Sequence, residues 1–407
     1  MPDCSSERGL RIGIVTDGLE ERTVEGEVRI ANGGVGVYIY ELIRHLLEMD
    51  AVELFLIRYL TGRLDIYRHP RARPIFLSST RGRSFRMAFN TWHRVLVQRL
   101  NLDLLHYPNQ FGGLFLPKSI RRIATLHDVT PLLFPAMHPY LRILAYKISA
   151  RLCLRRTDQI ITVSDNSRRD LASLGIDPAH ITTIYPGVAE TFTVGTSKPS
   201  VQTQHGASRP YMLTVGVLEP RKNQRLLLEV LEILNRAGHD LELIIVGRPG
   251  WRWTDPLADR RFASLRSRVR ILEDVPAGDL IEYYRHAKVF AYPSFYEGFG
   301  LPILEAMACG TPVVCSNTSS LPEAGGDAAL YSDPHDSVAF AGQVARVLND
   351  QDLRRRMVEK GLEHVRRRSW KHTALATLDL YRSVCRMNGF ANADDARISS
   401  TANDRDF

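Results

Sequence analysis

No stretch of the 407 residues reaches the ~18 to 20 consecutive apolar positions of a membrane-spanning helix, so no such helix is expected. The start, MPDCSSERGL, has no apolar secretory core, and the chain is expected to stay in the cytoplasm. Cysteine is scarce: Cys4, Cys153, Cys309, Cys315 and Cys385 are odd in number, scattered, and form no C-x-x-C pair. That argues against a disulfide framework or a zinc site and for reduced, mostly buried thiols. Zinc-finger spacing, an RNA-recognition signature and a compact basic helix-turn-helix are all missing, so nucleic acid is not an expected partner. No G-x-G-x-x-G occurs, and no ribose-binding acid follows a second strand, which counts against a dinucleotide site. The D-x-D match at Asp404 and Asp406 lies in a polar tail, so no metal site is expected from it.

What is present points to a two-domain protein. The length exceeds one ordinary core and suggests units of roughly 150 to 200 residues. Hydrophobic residues make up 44% and charged ones 24%, a globular balance. Net charge is +8, most of it from arginine, which favours anionic partners (nucleic acid, phosphorylated small molecules or lipid headgroups) without choosing among them.

Short apolar runs alternate with helical patterns. RIGIVTD (11–17), VELFLIRYL (52–60), DLLHYP (103–108), RIATLHD (122–128), QIITVSD (159–165) and ITTIYPG (181–187) read as buried strands. After a polar stretch, TVGTSKPSVQTQHGASRP (193–210), come YMLTVGV, LELIIVGR, VRILEDV, KVFAYPS and TPVVCS. The expected fold is α/β, with two doubly wound Rossmann-like domains facing across a cleft. The boundaries drawn are 1–192 for the amino-terminal domain, 193–210 for a linker and 211–370 for the carboxy-terminal domain. A helix at 371–390 is expected to pack back on the first domain, with a disordered tail at 391–407. Ligands of such sheets bind at the loops leaving the carboxyl ends of the strands.

One of those loops carries SFYEGFGLPILEAMACGTPVV (294–314), with Glu297 and Glu305 eight positions apart. Gly298 and Gly300 allow a sharp turn and close backbone approach, and Pro302 suits the first turn of a helix. Backbone N–H groups near Phe299, Gly300 and Leu301 then face the cleft, where they suit anions or hydroxyl oxygens. Glu305, about one turn in, is an acceptor-only carboxylate suited to a vicinal diol such as a ribose.

EGFGLPILEAMACGTPVV resembles the E-x7-E signature of glycosyltransferase family 4, retaining enzymes with the GT-B fold that use nucleotide-sugar donors. The likeness extends along the chain: GGVGVYIYELIRHL (33–46), TLHDVTPLLFP, TVSDNSRRDL, IYPGV and LTVGVLEPRKNQRLLLEV each resemble a family segment in order. The resemblance implies that Arg221 and Lys222 grip the donor diphosphate in place of a metal. It implies that His127 and Glu297 act at the donor sugar, and that Gly34, Gly298, Phe299, Gly300, Leu301 and Glu305 help bind the donor. It also implies retention of configuration, with no cofactor beyond the nucleotide sugar. HDVTPLLFP is similar to mannosyltransferase segments, so GDP-mannose is the first donor expected, with UDP-sugars open and a glycan or lipid-linked acceptor. A nucleoside-diphosphate-sugar epimerase of the same fold, or an NAD-dependent enzyme, stays as the alternative.

The surplus charge has two readings. Phe85, Phe89, Trp92 and Leu96 lie on one helical face, with Arg81, Arg83, Arg86 and Arg94 beside it. The stripe can pack on the sheet, or it can rest on the inner face of an anionic membrane and bring the cleft to a lipid-linked acceptor.

Overall fold

Parallel strands buried on both faces should be short, β-branched and nearly free of charge, and these pair as expected. The computed structural model describes residues 9–24, 27–30, 33–78, 98–109, 120–134, 143–144, 147, 156–195, 209–250 and 252–401. The first sheet contains Leu10–Val15 (β1), Val52–Leu60 (β4), Ala72–Ser78 (β5), Leu104–Tyr107 (β6), Arg121–Leu126 (β7), Gln159–Thr162 (β8) and Ile181–Thr183 (β9). Its order is β5-β4-β1-β6-β7-β8-β9, parallel throughout. A separate antiparallel pair, Glu21–Val24 (β2) and Glu27–Ile30 (β3), follows β1.

The second sheet holds Tyr211–Val215 (β10), Glu242–Val246 (β11), Val269–Leu272 (β12), Val289–Tyr292 (β13), Val313–Ser316 (β14) and Ala329–Ser332 (β15). Its order is β12-β11-β10-β13-β14-β15, again parallel. Two doubly wound sheets are therefore present, as the alternation implied.

Helices cover both. Gly33–Leu47 (α1) and Asp165–Ser173 (α2) belong to the first sheet. Gln224–Arg236 (α3), Ala277–His286 (α4), Leu301–Ala308 (α5), Leu321–Gly325 (α6), Ser337–Asn349 (α7) and Gln351–Arg366 (α8) accompany the second. Leu226, Leu227, Val230, Leu231 and Leu234 are buried along α3, the i, i+3, i+4 stripe of a helix lying on a sheet.

After α8 the chain returns to the first domain. Val188 N donates to Arg368 O at 2.9 Å, and a Cβ on Gly187 would stand 2.1 Å from Trp370 N, so only glycine admits this crossing. Trp370–Thr401 (α9) then packs on α1: the Trp370 and Tyr38 rings meet edge to face at 5.7 Å. Tyr381 Oη shares a hydrogen bond of 2.6 Å with His106 Nδ1 on β6.

The tail differs from expectation. Helix α9 runs to Thr401, through part of the segment expected to be disordered, because Ala391, Ala393 and Ala396 favour helix and no proline interrupts it. Cys309, Cys315 and Cys385 are buried, as their scatter implied. The arginine-flanked stripe from Phe85 to Leu96, most of the linker, Cys4, Cys153 and the Asp404–Asp406 pair lie outside the described residues. Among the described residues no helix is long and apolar enough to cross a membrane.

Candidate active site

The order of strands reverses once in each sheet, between β1 and β6 and between β10 and β13. Loops leaving two such strands part to opposite faces and open a crevice between them. Arg221 and Lys222 lie in the loop after β10, Glu297 in the loop after β13, so all three border the crevice of the second sheet.

There they form a charge cluster. Glu297 Oε1 accepts from Lys222 Nζ at 2.6 Å, and Oε2 lies 2.8 Å from Arg221 Nη1. Arg221 also bonds Glu219 and the Tyr296 carbonyl, and Lys222 donates to Tyr292 Oη at 2.6 Å. Burial by itself would raise the Glu297 carboxyl, but Arg221 and Lys222 outweigh it and hold the group at about 2. Burial pulls the Lys222 ammonium below the ordinary lysine value, with Glu297 opposing it. Glu219 and Tyr292 were not singled out in the sequence; Glu219 stands two residues before Arg221, and that proximity was the one available signal.

The loop carrying Glu297 is rigid for local reasons. Gly300 caps α5 with φ +115°, a left-handed conformation that disfavours any Cβ, and Pro302 occupies the first turn. Glu297 N donates to Ser319 Oγ at 3.0 Å, and the Ser320 hydroxyl lies 2.9 Å from both the Glu297 and Phe299 carbonyls. The Phe299 ring is buried and tilted against Tyr185 at 5.9 Å, so the side chain anchors the loop and only its backbone is left for a ligand.

Across the cleft, a Cβ on Gly298 would stand 2.1 Å from the His127 carbonyl oxygen, so glycine there lets the two domains touch. A Cβ on Gly34, at the start of α1, would rest 3.6 Å from Leu301 Cδ1, which places the first turn of α1 over the start of α5. His127 follows β7. Its Nε2 lies 2.8 Å from Pro108 O; a carbonyl only accepts, so Nε2 carries the proton and Nδ1 keeps the lone pair. Burial lowers the pKa of His127, against a smaller opposing pull from Pro108 O, so the ring is neutral. Tyr38 stands edge-on to it at 4.9 Å. A neutral ring fixed in this way can accept from a sugar hydroxyl and is unsuited to act as an acid.

Glu305 differs from expectation. It lies half-buried on α5, and Tyr284 Oη donates to its Oε2 at 2.8 Å. Burial pushes its carboxyl up to about 7, with the Tyr284 hydrogen bond pulling the other way. The group is thus poised between acceptor and donor at neutral pH rather than acceptor-only. Nothing in the spacing signalled this, because Tyr284 comes from α4.

A family model described as Glycosyltransferase Family 4 matches residues 32–192, and one described as Glycosyl transferases group 1 matches residues 198–364. The O-antigen chain mannosyltransferase B of Escherichia coli is 32% identical over 370 residues, 86% of this chain and 96% of that protein. A D-inositol 3-phosphate glycosyltransferase of Corynebacterium efficiens is 32% identical over 248 residues, 57% of this chain and 58% of that protein. Among solved structures, an Anabaena protein (Alr3699/HepE) in complex with UDP-glucose superposes with a TM-score of 0.71 at 16% identity, covering 92% of this chain and 100% of that one. Sucrose-phosphate synthase from Thermosynechococcus elongatus gives 0.70 at 22% identity, over 92% and 99% of the two chains. At these identities the two structures show a shared fold. With each half matched by its own family model and a relative aligned along most of its length, the chain belongs to the family 4, group 1 glycosyltransferases.

Proposed function

We propose that this glycosyltransferase moves mannose from GDP-mannose to a glycan or lipid-linked acceptor in the building of a cell-surface polysaccharide, with retention at the anomeric carbon. The observation that carries the donor half is the Arg221–Lys222–Glu297 cluster at the crevice of the second sheet. The likeness to an O-antigen chain mannosyltransferase along most of both chains supports mannose and a polysaccharide product. The epimerase and NAD-dependent readings gain no support from these relatives.

The chemistry follows from the residues. As the bond from C1 to the phosphate oxygen breaks, negative charge grows on the diphosphate, and Arg221 and Lys222 are the fixed cations that meet it. Glu297 is a poor covalent nucleophile, because two cations already stabilise its charge and hold it at about 2. The acceptor hydroxyl therefore attacks the face that the phosphate leaves; the new C1–O bond forms there and the hydroxyl proton passes to the departing phosphate oxygen. His127 Nδ1 and Glu297 orient the sugar, Glu305 the ribose, and the backbone of residues 298–301 with Gly34 closes around the donor. Peripheral contact of the amino-terminal domain with an anionic membrane would bring a lipid-linked acceptor to this cleft.

The test is a donor screen. GDP-mannose, UDP-glucose and UDP-N-acetylglucosamine are incubated with lipid-linked and oligosaccharide acceptors, and released nucleotide and transferred sugar are measured with and without EDTA. Transfer from GDP-mannose that persists in EDTA, with an α-anomeric proton in the product, is expected. Preference for a UDP-sugar would overturn the mannose reading, and no transfer from any donor would overturn the function.

A further inference from the structure

Helix α2 belongs to the amino-terminal domain, yet groups of the other domain end on its first turns. Glu323, on the short helix α6, accepts from Asp165 N and from Asn166 N, each at 2.7 Å, and Arg169 lies 3.7 Å from the same carboxylate. Tyr296, the neighbour of Glu297, donates its hydroxyl to Asp170 Oδ2 at 2.5 Å. Ser167 Oγ lies 3.3 Å from the His127 carbonyl and 3.4 Å from the Gly298 carbonyl.

The helix is built to need such a partner. Its own N-cap, Ser164, accepts from Ser167 N at 3.0 Å, which leaves the N–H groups of the first two helical residues to be satisfied from elsewhere. Glu323 takes both, and its charge suits the positive end of the helix. The carboxylate comes from the opposite domain, so the contact exists only while the two domains are apposed.

On each side the contact connects to the reacting groups. In the carboxy-terminal domain, Glu323 N donates to Ser320 O at 3.0 Å, and the Ser320 hydroxyl braces the Glu297 and Phe299 carbonyls at 2.9 Å, so Glu323 and the Glu297 loop move as one body. In the amino-terminal domain, Ser167 ties α2 to His127. We infer that Glu323 is a positioning residue: docked on the amino terminus of α2, it holds the Glu297 loop in register with His127 and thereby governs turnover rather than donor affinity. This inference rests on the glycosyltransferase reading of the cleft.

Glu323→Gln tests it, because an amide keeps the shape but turns its NH2 toward one of the two N–H donors. In the full-length protein, kcat should fall by about tenfold to a hundredfold, the scale of a small misplacement of reacting groups. The Kd for GDP or UDP, whichever the wild type binds, and the Tm should stay as in the wild type. Amide hydrogen exchange at Asp165 and Asn166 should speed up. Tyr296→Phe should move the same readouts in the same direction by less, and stands in if Glu323→Gln does not fold. A wild-type kcat in Glu323→Gln, or a nucleotide affinity that falls in step with kcat, would overturn the inference. If the wild type transfers no sugar at all, the functional reading fails, and exchange at α2 decides: unchanged rates sink the docking, and faster rates confined to α2 and the Glu297 loop uphold it.

Discussion

Glu297 and Glu305 lie eight residues apart on one loop and the helix that follows it, and their surroundings push them in opposite directions. Burial raises a carboxyl at both sites, but Glu297 has two cations within 3 Å and sits at about 2, whereas Glu305 has, among the described residues, a tyrosine hydroxyl for partner and sits at about 7. Burial is common to the two sites; the partner decides the charge. Glu297 is a permanent anion that orders Arg221 and Lys222. Glu305 is a group whose charge state a ligand or a change of pH can alter.

The sharpest way to break this contrast is to remove a cation. Arg221→Ala should lower kcat by ~10²-fold or more, the scale of losing one preorganised charge stabiliser. Saturating-donor kinetics measure this, and near-wild-type turnover would separate the cluster from the diphosphate. Next comes Glu305→Ala, expected to weaken GDP or UDP binding by ~1.5 to 3 kcal/mol if the carboxylate holds ribose hydroxyls. Calorimetry that finds equal affinities would remove the ribose role.

The pH dependence then separates the two acids. A carboxyl held below its unfolded value of 4.5 contributes stability that is present above pH 4.5 and lost as pH falls toward 2, which is the case for Glu297. A carboxyl raised from 4.5 to about 7 contributes stability that is present below pH 4.5 and lost as pH rises toward 7, which is the case for Glu305. Thermal melts should therefore show the wild type losing its advantage over Glu297→Gln toward acid, and losing ground to Glu305→Gln between pH 4.5 and 7. Nucleotide affinity should rise with pH through about 7 in the wild type, and that step should be absent in Glu305→Gln. The smallest effect belongs to Tyr284→Phe. It deletes the hydrogen bond that pulls Glu305 down, so the midpoint of the affinity step should shift to higher pH, read from the same titrations.

The sequence made the interior strands legible, because VELFLIRYL and QIITVSD are apolar runs that only a doubly covered sheet would bury. Of the four edges of the two parallel sheets it concealed two, β5 and β15, whereas β9 and β12 were read as ITTIYPG and VRILEDV. β5 reads ARPIFLS, with an arginine and a proline, and the proline is tolerated because the strand lies at the rim of its sheet. β15, at the other sheet's rim, has four residues, and the β2–β3 pair has four in each strand, so the alternation of EVRI is too short to stand out. Arg221, Lys222 and Glu297, singled out through local spacing and resemblance, are brought together by the fold. Tyr284, Asp170 and Glu323 were not singled out, because each meets its partner across 21, 126 or more than 150 residues of chain, and no local pattern encodes such a meeting.

The return of the chain through Arg368 to α9 sets the order in which the molecule can be completed during synthesis. The carboxy-terminal sheet is one uninterrupted stretch of sequence and can form as soon as β15 and its flanking helices have left the ribosome. The amino-terminal sheet is translated earlier, yet it must wait for α9. Until then Tyr38 has no Trp370 to pack on, and the buried His106 has no Tyr381 to meet its Nδ1. The domain begun first is thus finished last, and a premature stop before Tyr381 would damage the half of the protein whose gene segment lies farthest from the lesion.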